Sequence, residues 1–410
     1  MKAINQIKVS LLFDNNPKKI GDLIADSGKI YFKYDVGFLN SALEISQFKL
    51  PLKEEIVSAS SIPFDGLFGV FNDSLPDGWG RLLLDRTLNS RNQSSFQISP
   101  LDRLAFIGKK GMGALIYEPE IENENHFSNT IELDYIASEM EHILEGAISD
   151  IIEELFAFGG SSGGARPKIT VGYNPITEQI IHGTNNLPDG YEHWIIKFAS
   201  SQDFVDAAQV EYAYYLMAVS AGIEMTTCKL FHGKSGKFYF GTKRFDRIGN
   251  QRLHLHSASG LLHDDFRMST MDYGHLMDAG FQLEKHVQVY EKVLRLAAFN
   301  LYSHNRDDHS KNFSFLMDNA GKWNFAPAYD LTFSSSSRGW HSTSFAGEYQ
   351  NPTQNHLLEL AATFGLKKPM NIINEVQNAV ANWKQYAKNS NVSSYTNTTI
   401  EKRIQELLRL

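Results

Sequence analysis

A two-lobed α+β fold is predicted for this 410-residue chain, with a sheet-rich amino-terminal lobe and an all-helical carboxy-terminal lobe. Two patterns and one loop predict it. Short alternating apolar runs, punctuated by glycine-bearing turns, recur up to about residue 245, and helical spacing of apolar residues takes over after Tyr273. The polar run Asn305-Arg306-Asp307-Asp308-His309-Ser310-Lys311-Asn312 then follows directly on a helical segment at 287–303.

In chain order, residues 1 to about 120 read as an amino-terminal unit of short strands, 29–34 among them, with a helix at 78–89. The Glu- and Asn-rich stretch 121–129 reads as a surface connection into an amphipathic helix at 133–145. Strands at 168–173, 192–198, 227–231 and 237–245, with a helix at 206–221 closed by Gly222, make a mixed antiparallel sheet in a second unit, 130–245. The third unit, 246–410, is mostly helical. After the 287–303 segment and a short hairpin at 313–325 come helices at 355–364, 371–388 and 399–408. The last follows an Asn/Ser-rich loop at 389–398 and is opened by the capping-box pattern Thr398-x-x-Glu401.

With 42% hydrophobic and 12% aromatic residues, the chain can bury several packed subdomains without disulfide staples, which its single cysteine, Cys228, could not form within one chain. No cleavable leader or membrane-spanning segment is read, so a cytoplasmic location is expected. A net charge of −8 excludes a broad electrostatic grip on nucleic acid, so any DNA contact would need a local basic patch or a partner. Fourteen histidines raise the question of a metal centre. No His-Glu-x-x-His or Cys/His ligand set is present, however, and His254 and His256 alternate as they would on one face of a strand.

The chemistry concentrates in residues 160–330. Asp307 and Asn312 stand five apart, the spacing at which protein kinases place a catalytic base and a magnesium ligand, and Asp330 in Ala328-Tyr329-Asp330-Leu331 offers the second metal-binding carboxylate after the hairpin. Transfer of a γ-phosphoryl group asks the protein mainly to align nucleophile and phosphate and to neutralise developing charge, which explains an aspartate base beside oxygen ligands. Lys197 lies in an apolar strand, where an unpaired ammonium is costly; phosphates or Glu211 on the next helix could supply its partner. A lone Asp-x-x-x-x-Asn is more often turn chemistry, so it is the order of all four parts that carries the reading.

The run Gly159-Gly160-Ser161-Ser162-Gly163-Gly164-Ala165-Arg166-Pro167-Lys168 fits neither the P-loop, which requires Lys-Ser/Thr after the last glycine, nor the kinase Gly-x-Gly-x-x-Gly spacing. A flexible linker is the plain alternative; Arg166 and Lys168 beside the glycines favour anion binding.

Together these residues resemble the HipA-type Ser/Thr kinases, toxin components of bacterial toxin–antitoxin pairs, over nearly the whole chain. Residues 305–312 are similar to that family's Asp-Gly-His-x-Lys-Asn loop, with Asp308 where glycine is common, and Ala328-Tyr329-Asp330 to its metal-binding segment. Lys243-Arg244-Phe245-Asp246-Arg247 looks like its adenine-bordering hinge, and Leu75-Pro76-Asp77-Gly78-Trp79 like its amino-terminal Leu-Pro-Asp signature. The resemblance implies a two-lobed protein-kinase-like fold with a HipA-type amino-terminal subdomain, and ATP with Mg²⁺ as cofactors. It implies Asp307 as base, Asn312 and Asp330 as magnesium ligands and Lys197 as the phosphate lysine. Gly163, Gly164, Ala165, Arg166, Pro167 and Lys168 would lie over the phosphates, and Lys243, Arg244 and Phe245 along the adenine. His309, Lys311 and Asn312 would lie near the reacting end, with Tyr329 beside Asp330.

A regulatory phosphorylated serine is also implied, Ser161 or Ser162. The implied partners are a helix-turn-helix antitoxin, with DNA reached only through it, and a protein substrate from the translation machinery such as an aminoacyl-tRNA synthetase; no membrane is involved. Two other readings stay open: a small-molecule kinase, and a kinase-fold corepressor acting with a DNA-binding partner.

Overall fold

The computed structural model describes residues 3–41, 43–90, 98–121, 131–146, 151–159, 163–183, 185–200, 203–336 and 339–409. The chain opens with strands β1 (Gln6–Leu11), β2 (Lys18–Asp26) and β3 (Lys29–Tyr34), then helix α1 (Val36–Leu39), strand β4 (Val57–Ser58), helices α2 (Gly69–Asn72), α3 (Gly78–Ser90) and α4 (Pro100–Ile107), and strand β5 (Leu115–Glu118). These strands form an antiparallel sheet in the order β4-β3-β2-β1-β5. Its buried face carries Ile7, Val9, Leu23 and Phe32, the alternate positions that a period of two predicts.

Helices α5 (Leu133–Leu144) and α6 (Ile152–Gly159) lead to strands β6 (Lys168–Tyr173), β7 (Ile180–His182) and β8 (Glu192–Lys197), helix α7 (Ala207–Ser220), and strands β9 (Cys228–His232) and β10 (Phe238–Lys243). This second sheet runs β7-β6-β8-β10-β9 and is antiparallel at every described pairing. Gly222 follows α7 with φ +77, the left-handed residue that ends a helix and that glycine adopts at no steric cost.

The remainder is helical around one small sheet. A two-stranded ribbon, β11 (Arg247–Ile248) with β12 (Gln251–Arg252), precedes β13 (His254–Ser257), α8 (Ala258–Leu262), α9 (Tyr273–Glu284) and α10 (Gln288–Tyr302). The hairpin of β14 (Ser314–Met317) and β15 (Trp323–Phe325) pairs with β13, so the carboxy-terminal lobe is not all-helical as expected. The strand bearing His254 and His256 supplies the third member of the sheet, and both histidines are buried. The chain ends with α11 (Gln354–Thr363), α12 (Pro369–Ala381), α13 (Trp383–Asn389) and α14 (Ser394–Leu407).

Two boundaries differ from the sequence reading. The expected helix at 371–388 is two helices divided at Asn382, and the last helix begins before the Thr398 pattern. Its cap is Ser393, whose hydroxyl accepts from the Thr396 amide, and the buried Asp206 carboxylate accepts from the Ser393 amide and the Thr396 hydroxyl, each at 2.7 Å.

Two apolar cores hold these layers. The larger joins the first sheet to α7, α9, α10 and the following helices. The smaller joins Trp79, Leu83, Leu84 and Leu88 of α3 to Ile169, Val171, Trp194 and Ile196 of the second sheet. A helix from the amino-terminal third of the chain thus shares a core with the sheet that carries Lys197, packing against α6, which in turn lies on β6, and the segment preceding that helix meets the glycine-rich run.

Candidate active site

Lys197 ends β8 in the middle of the second sheet, opposite Lys168 of β6 on one side and Phe240 of β10 on the other. Its ammonium is almost fully buried and donates to two carboxylates, Glu211 of α7 and Asp330. Burial opposes its charge, but Asp330 and Glu211 outweigh burial and hold the ammonium above the ordinary lysine range. The same balance lowers Asp330: burial raises it, and Lys197, Lys168 and Arg166 more than reverse the effect. Asp330 sits at φ +56, a left-handed position for a residue with a Cβ, kept by these contacts. A strand lysine paired with a helix glutamate is the arrangement that protein kinases use to align phosphates.

The loop after α10 is fixed almost everywhere except at one side chain. Asp308 is buried; its carboxylate accepts from the Tyr273 hydroxyl (2.9 Å) and the Ser342 amide (2.7 Å), with His341 Nδ1 at 2.9 Å. The Ser310 hydroxyl donates to Asp264, and Asn312 Nδ2 donates to the Asp307 carbonyl at 2.7 Å. Asp307 is left pointing outward, its side chain 54% exposed, with His309 Nε2 at 3.7 Å. Burial around its carboxylate, and the nearby Asp330 and Asp308, raise it above the usual carboxylate range against the pull of His309 and Arg166. A carboxylate that takes up a proton more readily than usual is suited to general-base work.

The glycine-rich run is pinned from outside. Asp77, in the turn leading into α3, accepts from the Gly164 amide and forms an ion pair with Lys311 at 2.7 Å. Burial opposes the Asp77 charge, but Lys311, the Gly164 amide and Lys168 hold its carboxyl below the usual range. The Trp79 amide donates to the Gly164 carbonyl at 3.1 Å, and the Lys168 ammonium donates to the Gly163 carbonyl. Gly78 (φ +40) has no room for a side chain, since a Cβ would lie 2.6 Å from both Ala165 Cα and the Gly164 carbonyl. At Gly164 (φ +104) a Cβ would meet the Lys168 ammonium at 2.3 Å. Burial lowers Lys168 from the ordinary lysine range, and the facing Lys197 ammonium adds to that.

The other expected site residues divide. Arg166 reaches the same cluster, pairing with Asp203 at 2.8 Å and lying 3.9 Å from Glu211, while the Pro167 carbonyl receives the Phe198 amide. Ala165 is exposed beside them. The Phe245 ring packs 5.3 Å from Tyr329, next to Asp330. Lys243 pairs with Glu192 at 2.7 Å. Arg244 is turned away: its guanidinium makes a buried two-point contact with Asp246 at 2.8 and 2.9 Å, which leaves only its backbone to border a ligand. Ser161 and Ser162 lie outside the described residues. Two contributors gave no local signal of the part they play. Asp77 was conspicuous as a signature without a role, and Asp264 was not conspicuous at all; their partners lie 234 and 46 residues away in sequence.

The fit of a magnesium ion can be judged from the donors. Asn312 spends its Nδ2 on the loop, and Asp330 spends one oxygen on Lys197. Asn312 Oδ1 and the second Asp330 oxygen are thus the oxygen donors left over, and magnesium takes one or two such ligands together with phosphates and water. Among the described residues no group of three or more His, Cys, Asp or Glu side chains is placed to hold a metal by itself.

The fold is a two-lobed, kinase-like α+β arrangement, and the chain belongs to the HipA family. The HipA-like C-terminal domain family matches residues 160–383, more than half of the chain, and the HipA N-terminal domain matches residues 14–118. Among solved structures, HipA of Shewanella oneidensis MR-1, in a complex with HipB and operator DNA, overlays with a TM-score of 0.66 at 17% identity, covering 98% of this chain and 96% of that one. The Helicobacter pylori proinflammatory kinase CtkA overlays at 0.37 and 14% identity, over 53% of this chain and 86% of its own. No curated protein matches the chain. No helix among the described residues is long and apolar enough to cross a membrane.

Proposed function

We propose that this chain is an ATP- and Mg²⁺-dependent protein serine/threonine kinase of HipA type, acting as the toxin of a toxin–antitoxin pair. The observation that carries the reading is the Lys197 ammonium held between Glu211 and Asp330. In this account Lys197 and Lys168 align the nucleotide phosphates, and the Gly163 to Lys168 backbone lies over them. The Lys243 to Phe245 segment borders the base, through backbone and the Phe245 ring. Asp307 accepts the proton of the attacking hydroxyl, and its raised affinity for a proton assists that step. Bound magnesium, held by Asn312 and Asp330, would neutralise charge on the phosphates. The domain division follows the same reading: 1–120 as the HipA-type subdomain, 130–245 as the nucleotide-binding lobe and 246–410 as the lobe of the catalytic loop.

A helix-turn-helix antitoxin is the proposed partner, supported by family membership and by the HipB-bound relative. A translation component such as an aminoacyl-tRNA synthetase is the proposed protein substrate, and Ser161 or Ser162 the proposed self-modified residue. The test is transfer from γ-labelled ATP into lysate protein and into the chain itself, with peptide mapping. The wild type should label both, and Asp307→Asn or Asp330→Asn should lower transfer by several powers of ten, roughly, as loss of a base or of charge stabilisation does. Transfer at the same rate in these variants would remove the site assignment. Label found only in metabolites would move the chain to the small-molecule kinases.

A further inference from the structure

A cleft lies between the amino-terminal unit and the catalytic loop, bordered by four cations, Arg81, Arg103, Arg267 and Lys311, by the carboxylates Asp65, Asp77 and Asp265, and by Phe266. Arg81 is in the first turn of α3 and exposed; Arg103 is on α4 and half-buried. Neither guanidinium has a hydrogen bond or ion pair among the described residues. Burial and the neighbouring Arg81 charge push Arg103 below the usual arginine range, and Asp85 and Asp65 offset this only through space. The other cations of the cleft are already engaged. Lys311 pairs with Asp77 and lies 4.8 Å over the Phe266 ring, and the Arg267 guanidinium stacks on that ring at 4.5 Å. A half-buried Arg103 without a direct partner, next to a second guanidinium, gains from an anion that joins them, and the planar fork of arginine suits a carboxylate or phosphate.

The position of the cleft gives it meaning. Phe266 packs 5.4 Å from the His309 ring, and His309 Nε2 stands 3.7 Å from the Asp307 carboxylate. The cleft that the arginines line is therefore walled by Phe266, whose ring leads through His309 to the group that would receive the acceptor's proton. The cleft holds about 60 Å³, room for one side-chain head group rather than a track for a polymer backbone. The net charge of −8 also disfavours a nucleic acid as the occupant.

We propose that Arg81 and Arg103 form an acceptor-side subsite that takes an anionic side chain, carboxylate or phosphate, next to the hydroxyl of a polypeptide phosphoryl acceptor. The proposal rests on the kinase reading for its role but not for its binding chemistry, so the two can fail separately. Binding is measured first, by fluorescence anisotropy with labelled peptides in which alanine replaces the acceptor serine. One peptide carries flanking glutamates, one a flanking phosphoserine and one glutamines. The two acidic peptides should bind at least about tenfold tighter than the glutamine peptide, as one or two charge-assisted hydrogen bonds provide. In the Arg81→Gln/Arg103→Gln double variant the ratio should fall to about one, while Arg103→Lys keeps part of it. Comparison of the glutamate and phosphoserine peptides tells which anion is preferred.

Equal binding of acidic and neutral peptides by the wild type overturns the subsite. So does a preference that survives the double variant, or arginine-dependent binding stronger for a short RNA than for any peptide. The serine-bearing peptides are then offered with Mg-ATP. Asp307-dependent phosphorylation without acidic preference removes the subsite and leaves the kinase; arginine-dependent binding of acidic peptides without any phosphorylation removes the kinase and leaves the subsite.

Discussion

Asp77→Ala tests how the amino-terminal unit controls the site. The substitution deletes one carboxylate that holds both the Gly164 amide and the Lys311 ammonium. The Asp77 and Lys311 side chains are only 10% and 14% exposed, and removing one partner of a buried pair costs about 3–5 kcal/mol. Lys311 lines an open cleft and can recover part of its hydration, while the Gly164 amide loses its acceptor at about 1 kcal/mol, so a net local loss of about 3 kcal/mol is expected. At 1.4 kcal/mol per tenfold, the 163–168 segment should open roughly a hundredfold more often. Amide hydrogen exchange at Gly164 reads this directly, with amides in β10 as the unaffected reference. In a double-mutant cycle with Lys311→Met, the two losses should couple by about 2 kcal/mol. Unchanged exchange at Gly164, or losses that add to within about 0.5 kcal/mol, would refute the clamp.

Neighbouring aspartates should behave as opposites. Asp308→Ala strips the buried Tyr273, His341 and Ser342 contacts and should cost about 3–5 kcal/mol in urea denaturation, whereas the exposed Asp307→Asn should leave the midpoint where it is; similar midpoints would show that the loop is not anchored through Asp308. Burial holds His193 and His254 down at about 4 and His304 at about 3. These rings are neutral in the fold but take up protons in the unfolded chain below about 6.5, so stability should be full above that pH and decline as pH falls toward 4. Urea midpoints that stay level from pH 7.5 to 5 would contradict it. Gly78→Ala should lower stability and nucleotide binding together, because its Cβ would collide with the backbone at Gly164 and Ala165; calorimetry showing full affinity would argue against that close approach.

Local structure was legible wherever one segment held the whole signal. The Asp307 loop, the Lys197 strand and the Gly222 cap each lie within a few residues, and each appears as an element where the pattern put it. Patterns that depend on a distant partner were not legible. The final helix starts at Ser393 because Asp206, far earlier in the chain, takes up its first amide and hydroxyl groups, and a capping box at Thr398 was the stronger local pattern. Arg244 was placed along the adenine by the resemblance of 243–247 to a family hinge, but Asp246 two residues on takes its guanidinium into the interior. The role of Asp77 emerges only when α3 joins the core of the second sheet, a juxtaposition that no window of sequence contains. Asp308 stood out as a departure from the glycine common at that place; its explanation is a buried hydrogen-bond hub whose members are spread from Tyr273 to Thr343.

The claim on which the rest depends is that Asp330 and Asn312 would hold one nucleotide-bound metal ion beside the Lys197 ammonium. Electron paramagnetic resonance of Mn²⁺, titrated with ADP as the nucleotide, measures this without turnover. One tightly bound ion that requires ADP is predicted for the wild type, with its affinity lowered in Asp330→Asn and in Asn312→Ala. Nucleotide-independent binding, or the same affinity in all three proteins, would contradict the account.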